Sequence, residues 1–297
     1  MCCFSWVWTG CGGDDTGTCA TAADCPAGQV CLDGLCISRP GLDSGGRDAP
    51  GADSPAIDTG PPTTLESIRL EPEDAVLSAM LGERPTQDFV VVGLFSDGIE
   101  RSVTGPRFSL ASLEVGDIDE PSGRFTANGV AGGVTGVTVA ADGPDGVLEA
   151  TGTVTVNYRS EIRGEGVPPD VASRFATPID DAARAAQILY PLDGVVMPQN
   201  VFPADTQWLT GVADDLFRIR MVKPHFELTA YLLHSGAGFQ NHWLTDADGW
   251  RALAQTDPDD AAAITVDRWE AISREAISGT AVGVTFARAA LTGSVYY

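Results

Sequence analysis

All seven cysteines fall within the first 36 residues, at positions 2, 3, 11, 19, 25, 31 and 36. Cys19, Cys25, Cys31 and Cys36 form a C-x5-C-x5-C-x4-C cluster, interleaved with the turn formers Pro26, Gly28, Asp33 and Gly34. So short a segment cannot bury a core, and cross-links are the usual remedy, with ligation of a metal by four thiolates as the competing chemistry. Structural zinc sites use C-x2-4-C knuckles, and these gaps are longer, so two disulfides are expected and no metal is assigned. Disulfides imply an oxidising, extracytoplasmic compartment.

The remaining chemistry-bearing side chains give no catalytic constellation. His225, His234 and His242 are the only histidines, and their spacings of 9 and 8 lack the H-x-H or H-x3-H pattern that converges on a metal, so solvent-exposed strand ends are expected. His234-Ser235-Gly236 lacks the G-x-S-x-G frame of a nucleophile elbow. Asp246-Ala247-Asp248-Gly249 lacks the third oxygen ligand of a calcium loop, and position twelve is Asp257 rather than Glu, so it reads as a turn. The acid pairs Asp180-Asp181, Asp214-Asp215 and Asp259-Asp260 are adjacent in sequence and need not face one site. No catalytic residue, cofactor or metal site is assigned. Trp208, Trp243, Trp250 and Trp269 lie in the last third, where filling the core is the expected role. An exposed pair, Trp243 with Trp250, would instead form a platform for sugar rings.

Charge narrows the partners. Against 41 acidic residues stand 18 basic ones, of which Lys223 is the one lysine, for a net charge of -23. Phosphate binding needs clustered Lys and Arg, so nucleic acid is excluded as a partner and plain electrostatic attachment to anionic lipid is disfavoured. No run of about 18 apolar residues exists to span a bilayer.

The elements that would position these residues divide the chain into six stretches. Residues 1–18 are an apolar start followed by the polar tether Gly12-Gly13-Asp14-Asp15-Thr16-Gly17. Residues 19–36 are the cysteine cluster. Residues 37–64 hold five Pro, five Gly and no aromatic, with Asp43, Asp48, Asp53 and Asp58 spaced by fives. That stretch cannot offset its ordering entropy and is expected to be a disordered, semi-extended spacer. Residues 65–158 alternate apolar and polar in short runs between turns such as Ser96-Asp97-Gly98 and Glu120-Pro121-Ser122-Gly123, predicting a sandwich of about seven strands. Residues 159–186 read as a polar connector with a short helix over 179–189, introduced by Pro178. Residues 187–297 read as a second strand-rich domain, with strands over 216–222, 226–232 and 280–287 and a helix over 267–277. The fold class expected is all-β: two immunoglobulin-like sandwiches behind a small disulfide knot and a disordered linker.

Several of these stretches resemble known families. Trp8-Thr9-Gly10-Cys11 resembles a lipobox, in which a signal peptidase cuts before a cysteine that becomes lipidated. The ten residues before Cys11 lack a basic n-region, so a signal trimmed at its start is expected. The resemblance implies a lipid anchor at Cys11, with Gly12 permitting sorting to the outer membrane, and several acyl chains hold where one holds weakly. TCATAADCPAGQVCLDGLC resembles the cysteine-rich knot, akin to the Dickkopf N-terminal repeat, found behind the anchor of many bacterial envelope lipoproteins. Of the three pairings open to four cysteines, Cys19–Cys31 with Cys25–Cys36 is expected. Leu65-Glu66-Ser67-Ile68, Glu71-Pro72, Phe89, Ser96-Asp97-Gly98 and above all G-x-F-T-A-x-G-x-A-G-G-x-T over 123–135 resemble the bacterial immunoglobulin-like group 2 domain of intimin- and invasin-type surface proteins. Phe108 stands where that family commonly has Trp. YPLDGVVMPQN with Gln207-Trp208 resembles a fibronectin-like sandwich that precedes a propeller in large envelope proteins, and the strand pattern 293–297 suggests a chain that continues. Together the resemblances imply a non-catalytic, lipid-anchored outer-membrane protein for display, adhesion or binding, with the membrane and a surface protein or glycan as partners. The alternative is the carbohydrate-binding or accessory part of a larger envelope enzyme or propeller protein.

Overall fold

A computed structural model describes residues 29–32, 35–38, 63–289 and 292. They belong to two compact units, Met1–Gly60 and Pro61–Tyr297. In the first, β1 (Gln29–Leu32) and β2 (Leu35–Ser38) pair antiparallel, with Cys31 opposite Cys36 in the register. Cys11, Cys19 and Cys25, most of the 37–64 spacer and the 293–297 strand pattern lie outside the described residues, and with them the anchor and the expected disulfide pairing.

The second unit is all-β. Its first lobe contains β3 (Leu65–Glu71), β4 (Asp74–Met80), β5 (Thr86–Asp88), β6 (Val90–Phe95), β7 (Glu100–Ser102), β8 (Arg107–Leu110), β9 (Gly116–Ile118), β10 (Arg124–Ala127), β11 (Gly133–Gly143) and β12 (Gly146–Arg163). The small sheets β3-β6-β7 and β5-β10-β9 bury Leu70, Val91, Phe89 and Phe125 with Val137, Val139, Val154 and Val156 of the large sheet. Phe108 is buried in this core. The strands number ten rather than about seven because three-residue pairings, each too short to show a period of two, close the sandwich.

The second lobe contains the single-turn helix α1 (Val171–Arg174), β13 (Gln187–Tyr190), β14 (Val195–Pro198), β15 (Asp205–Leu209), β16 (Leu216–Lys223), β17 (Phe226–Leu233), β18 (His242–Leu244), α2 (Ala247–Gln255), β19 (Ala262–Glu270), β20 (Glu275–Ile277) and β21 (Val282–Ala287). The strands expected over 216–222, 226–232 and 280–287 form, but both expected helices do not. Residues 179–189 make a turn and then enter β13, because Asp181 caps the turn by accepting the Ala183 amide and holds Arg184, whose guanidinium also reaches Glu270 and Glu275. The connector's helix is α1 instead, seated by buried Val171 and Phe175. Residues 267–277 belong to β19 and β20, with Ile264 and Val266 facing the core ahead of them.

One strand joins the lobes. β12 runs for 18 residues across the expected boundary after 158, so that boundary falls inside a strand. On one side it pairs with β11 up to Val156 and then, from Tyr158 onward, in parallel with β17; on the other, β4 pairs in parallel with residues 153–159. A ten-stranded sheet thus passes through both lobes, and one apolar cluster runs from Leu70 to Phe286.

The handover from β11 to β17 explains the glycine-rich stretch. Gly129 and Gly133 have positive φ, as expected of bulges and turns, but Gly132 is required for a different reason. A Cβ there would stand 2.2 Å from the His225 carbonyl oxygen and 2.9 Å from that of Val156, both backbone. Gly132→Ala is expected to cost about 1–3 kcal/mol by overpacking the junction, read as a lower urea midpoint. A loss within the scatter of ordinary surface substitutions would show that the junction gives way easily.

Candidate functional site

The handover also builds the most chemically varied surface of the described residues. The β16–β17 hairpin turn, Lys223-Pro224-His225-Phe226, is pressed against the loop that follows α2. Asp257 in that loop, with a left-handed φ of 40°, receives the His225 backbone amide at 2.9 Å and the His225 Nδ1 at 2.7 Å. Thr256 accepts the Gly132 amide on its hydroxyl at 2.9 Å. Lys223 is 3% exposed, donates from Nζ to the carbonyls of Thr256 (2.8 Å) and Asp257 (3.2 Å), and lies over the Phe286 ring. A lysine at a helix C-terminus satisfies carbonyls that the helix leaves open. Burial pushes its ammonium down to about 8, against the pull of Asp257, Asp260 and Asp259.

Beside this junction the sheet is open to solvent. β12 alternates here, with Tyr158 and Ile162 turned inward and Arg159, Glu161 and Arg163 turned outward. Tyr158 donates its hydroxyl to the Glu83 carbonyl and accepts the Gly129 amide, and burial holds its phenol above the ordinary value. Across the strand pair, Arg159 stands opposite Glu227, Glu161 opposite Thr229 and Arg163 opposite Tyr231. Two adjoining grooves share Arg159 and Glu227. One, of about 290 Å³, is walled by Ser78, Asn157 and His225, and the other, of about 590 Å³, by Met80, Glu161, Thr229 and Tyr231.

The carboxylates here are engaged. Glu227 is held by Arg220 at 2.8 Å and accepts the Thr229 hydroxyl, and Glu161 is held by Arg163 at 2.8 Å. Arg159, although it faces Glu227, donates only to the Met80 sulfur at 3.3 Å. Among the described residues, Arg84, Arg159 and Arg274 are the arginines with no carboxylate within 4 Å, and of these Arg159 is the one that lines these grooves.

The residues singled out from sequence are placed elsewhere. Trp250 is on α2, 2% exposed and edge-on to Phe286, so it cannot offer a ring face to a sugar. Trp243 is half-buried on β18, packed against the core, and the two indoles form no exposed platform. Both take the core-filling role that the base expectation gave them. Asp246 begins neither a turn nor a calcium loop but caps α2, accepting the Gly249 amide at 2.7 Å. The histidines do not converge: His225 binds Asp257, His242 binds Asp205 at 2.7 Å, and His234 lies on the Phe239 ring. Among the described residues no group of three or more His, Cys, Asp or Glu could hold a metal ion. What sequence reasoning missed was Arg159. The signal was present, because the period of two that marks 148–156 continues through Tyr158-Arg159-Ser160-Glu161-Ile162-Arg163.

No family model matches the chain. No curated protein matches it either. Among solved structures it is similar to fibronectin(III)-like modules of CbhA from Clostridium thermocellum, at 13% identity and a TM-score of 0.23, covering 77% of this chain and 100% of that one. It is similar to the D00-D0 domain of intimin, at 14% identity and a TM-score of 0.22, covering 73% and 99%. It is similar to a SusE-like surface-located polysaccharide binding protein from Bacteroides thetaiotaomicron, at 11% identity and a TM-score of 0.20, covering 75% of this chain and 34% of that one. At these levels the likeness brings no ligand or activity to this chain. Its own strands establish the class: an all-β protein of sandwich-like sheets.

Proposed function

We propose that this protein is a non-catalytic binding module held at the outside of a bacterial envelope, with the open groove around Arg159 as its presented face. The observation that carries the reading is the guanidinium of Arg159, left without a carboxylate on an exposed sheet face of a strongly acidic protein. An unneutralised charge held on a strand, between grooves and beside a packed junction, is preorganised for a partner rather than for internal cohesion. In this reading Cys11 carries the lipid, and Cys19, Cys25, Cys31 and Cys36 close a two-disulfide knot. The 37–64 spacer stands the sandwiches off the membrane. The 65–158 stretch acts as a bacterial immunoglobulin-like group 2 module, followed by a fibronectin-like lobe that completes the groove.

The anchor is tested by metabolic labelling with radioactive palmitate. Incorporation is expected in the wild-type chain and lost in Cys11→Ala, with the protein released from the membrane fraction. Labelling that survives Cys11→Ala sinks the anchor. The display role is tested by adding protease to intact cells, where digestion of the sandwiches without lysis is expected and full protection counts against it.

A further inference from the structure

The groove's chemistry goes further and names a class of ligand. This step rests on the binding-module reading above. Arg159 offers a planar pair of N–H donors, the geometry that matches a carboxylate in bidentate fashion. Around it, the hydroxyls of Ser78 and Thr229, the amide of Asn157 and the carboxylates of Glu161 and Glu227 supply acceptors and donors at the spacing of adjacent strands. That mixture suits the hydroxyls of a sugar chain. The walls also carry the apolar side chains Ala79, Met80, Val222, Pro224 and Phe226, but polar ones outnumber them, which favours a sugar chain over the apolar side-chain pockets of a peptide site. Glu161 and Glu227, with the protein's net charge of -23, also repel a chain that carries an anion on every residue.

We propose that the paired grooves bind an acidic glycan of sparse charge, with one uronate carboxylate seated on Arg159 and neutral sugar units on either side along β12 and β17. Charge complementarity at one point, rather than over a field, sets the choice of ligand. Densely sulfated chains and nucleic acid fall outside it, and neutral glucans lack the anchoring contact.

The experiment is calorimetric titration of the full chain with oligosaccharides of hyaluronan, in which glucuronate alternates with N-acetylglucosamine. The same oligosaccharides with the carboxyl groups reduced, a neutral glucan and a poly-glutamate peptide serve as comparisons. The hyaluronan oligosaccharide is expected to bind, and carboxyl reduction to weaken it at least tenfold. Arg159→Gln should weaken it to the same extent, and Arg159→Lys should restore part of the loss. Arg274→Gln, an exposed and unpaired arginine away from the grooves, should leave it unchanged. Equal binding of the reduced oligosaccharide, an unaffected Arg159→Gln variant or no binding at all overturns the proposal. Tighter binding of poly-glutamate overturns it in favour of a protein partner. If the neutral glucan binds as well as hyaluronan and independently of Arg159, the uronate inference fails while the binding-module reading stands.

Discussion

Replacing Asp215 with alanine is expected to lower the unfolding free energy of the sandwiches by about 3–5 kcal/mol, among the largest effects of any single side chain here. Asp215 is fully buried immediately before β16, where its carboxylate accepts the Arg268 Nε at 2.7 Å and the backbone amides of Val212 at 2.9 Å and Ala271 at 3.0 Å. Arg268 on β19 is itself 6% exposed at its side chain. Its other contacts, the Arg184 carbonyl at 3.1 Å and Glu270 at 3.3 Å, only partly compensate. Removing the carboxylate leaves a buried guanidinium short of its main acceptor and two part-buried amides without one, and the cost is that under-compensated charge rather than the worth of the pair. Native stabilities lie around 5–15 kcal/mol, so this is a large fraction of the whole. For a body of this size the melting temperature should fall by roughly 6–20 °C. The Arg69–Glu100 pair, with side chains 46% and 55% exposed, gives the contrast: Glu100→Ala should change stability by less than about 1 kcal/mol. Pairing Asp215→Leu with Arg268→Met should recover the part of the loss due to the guanidinium, because an apolar pair needs no partner, while the Val212 and Ala271 amides still lack their acceptor. A loss below about 1 kcal/mol in Asp215→Ala would mean that water reaches this site.

The same residues show what could and could not be read from the sequence. Strands whose apolar residues alternate, such as 216–222 and 133–141, were legible because period two is a local property. Asp267, Arg268 and Glu270 fall in the stretch 267–277 that the sequence suggests as a helix. In the fold they are strand residues whose charges are taken up across the sheet: Asp267 by Arg218 at 2.6 Å and Arg268 by Asp215. Those partners lie about fifty positions away, and nothing local marks them. The helix α2 was hidden by its own cap, since Asp246 and Gly249 read as a turn. The junction was the least legible feature. His225 meets Asp257 across 32 positions, and Gly132 meets Thr256 across 124. Only the unbroken alternation past Tyr158 pointed toward it, and the boundary placed after 158 cut it off.

Between pH 8 and pH 10 the protein is expected to become more stable, by about 2–3 kcal/mol, and Lys223→Met is expected to abolish that rise. Burial holds the Lys223 ammonium at about 8 in the folded protein, whereas an unfolded lysine titrates near its ordinary value of 10.5. Below pH 8 both states are charged and the cost of burying the ammonium is fully present. Between the two values the folded state has lost the proton and the unfolded state keeps it, so unfolding takes up a proton. Stability then climbs by at most about 1.4 kcal/mol per pH unit. Above 10.5 both states are neutral and the gain levels off. Tyr158 and Tyr231, whose phenols burial holds above the ordinary value, act in the opposite sense, but only above about pH 10, where unfolded phenols begin to ionise. Absolute stability at one pH would not isolate the effect, because Lys223→Met also strips the Thr256 and Asp257 carbonyls of a donor, a cost of about 1–3 kcal/mol that is present at every pH. The slope does isolate it. Urea titrations of both proteins at pH 7, 8, 9 and 10 should give curves that converge or cross as the wild type gains on the variant. Parallel curves would show that the amine keeps its proton in the fold, held by Asp257, Asp259 and Asp260. The single lysine would then act as a permanent charged clamp between the β16–β17 turn and the end of α2, and the junction beside Arg159 would be insensitive to alkaline pH.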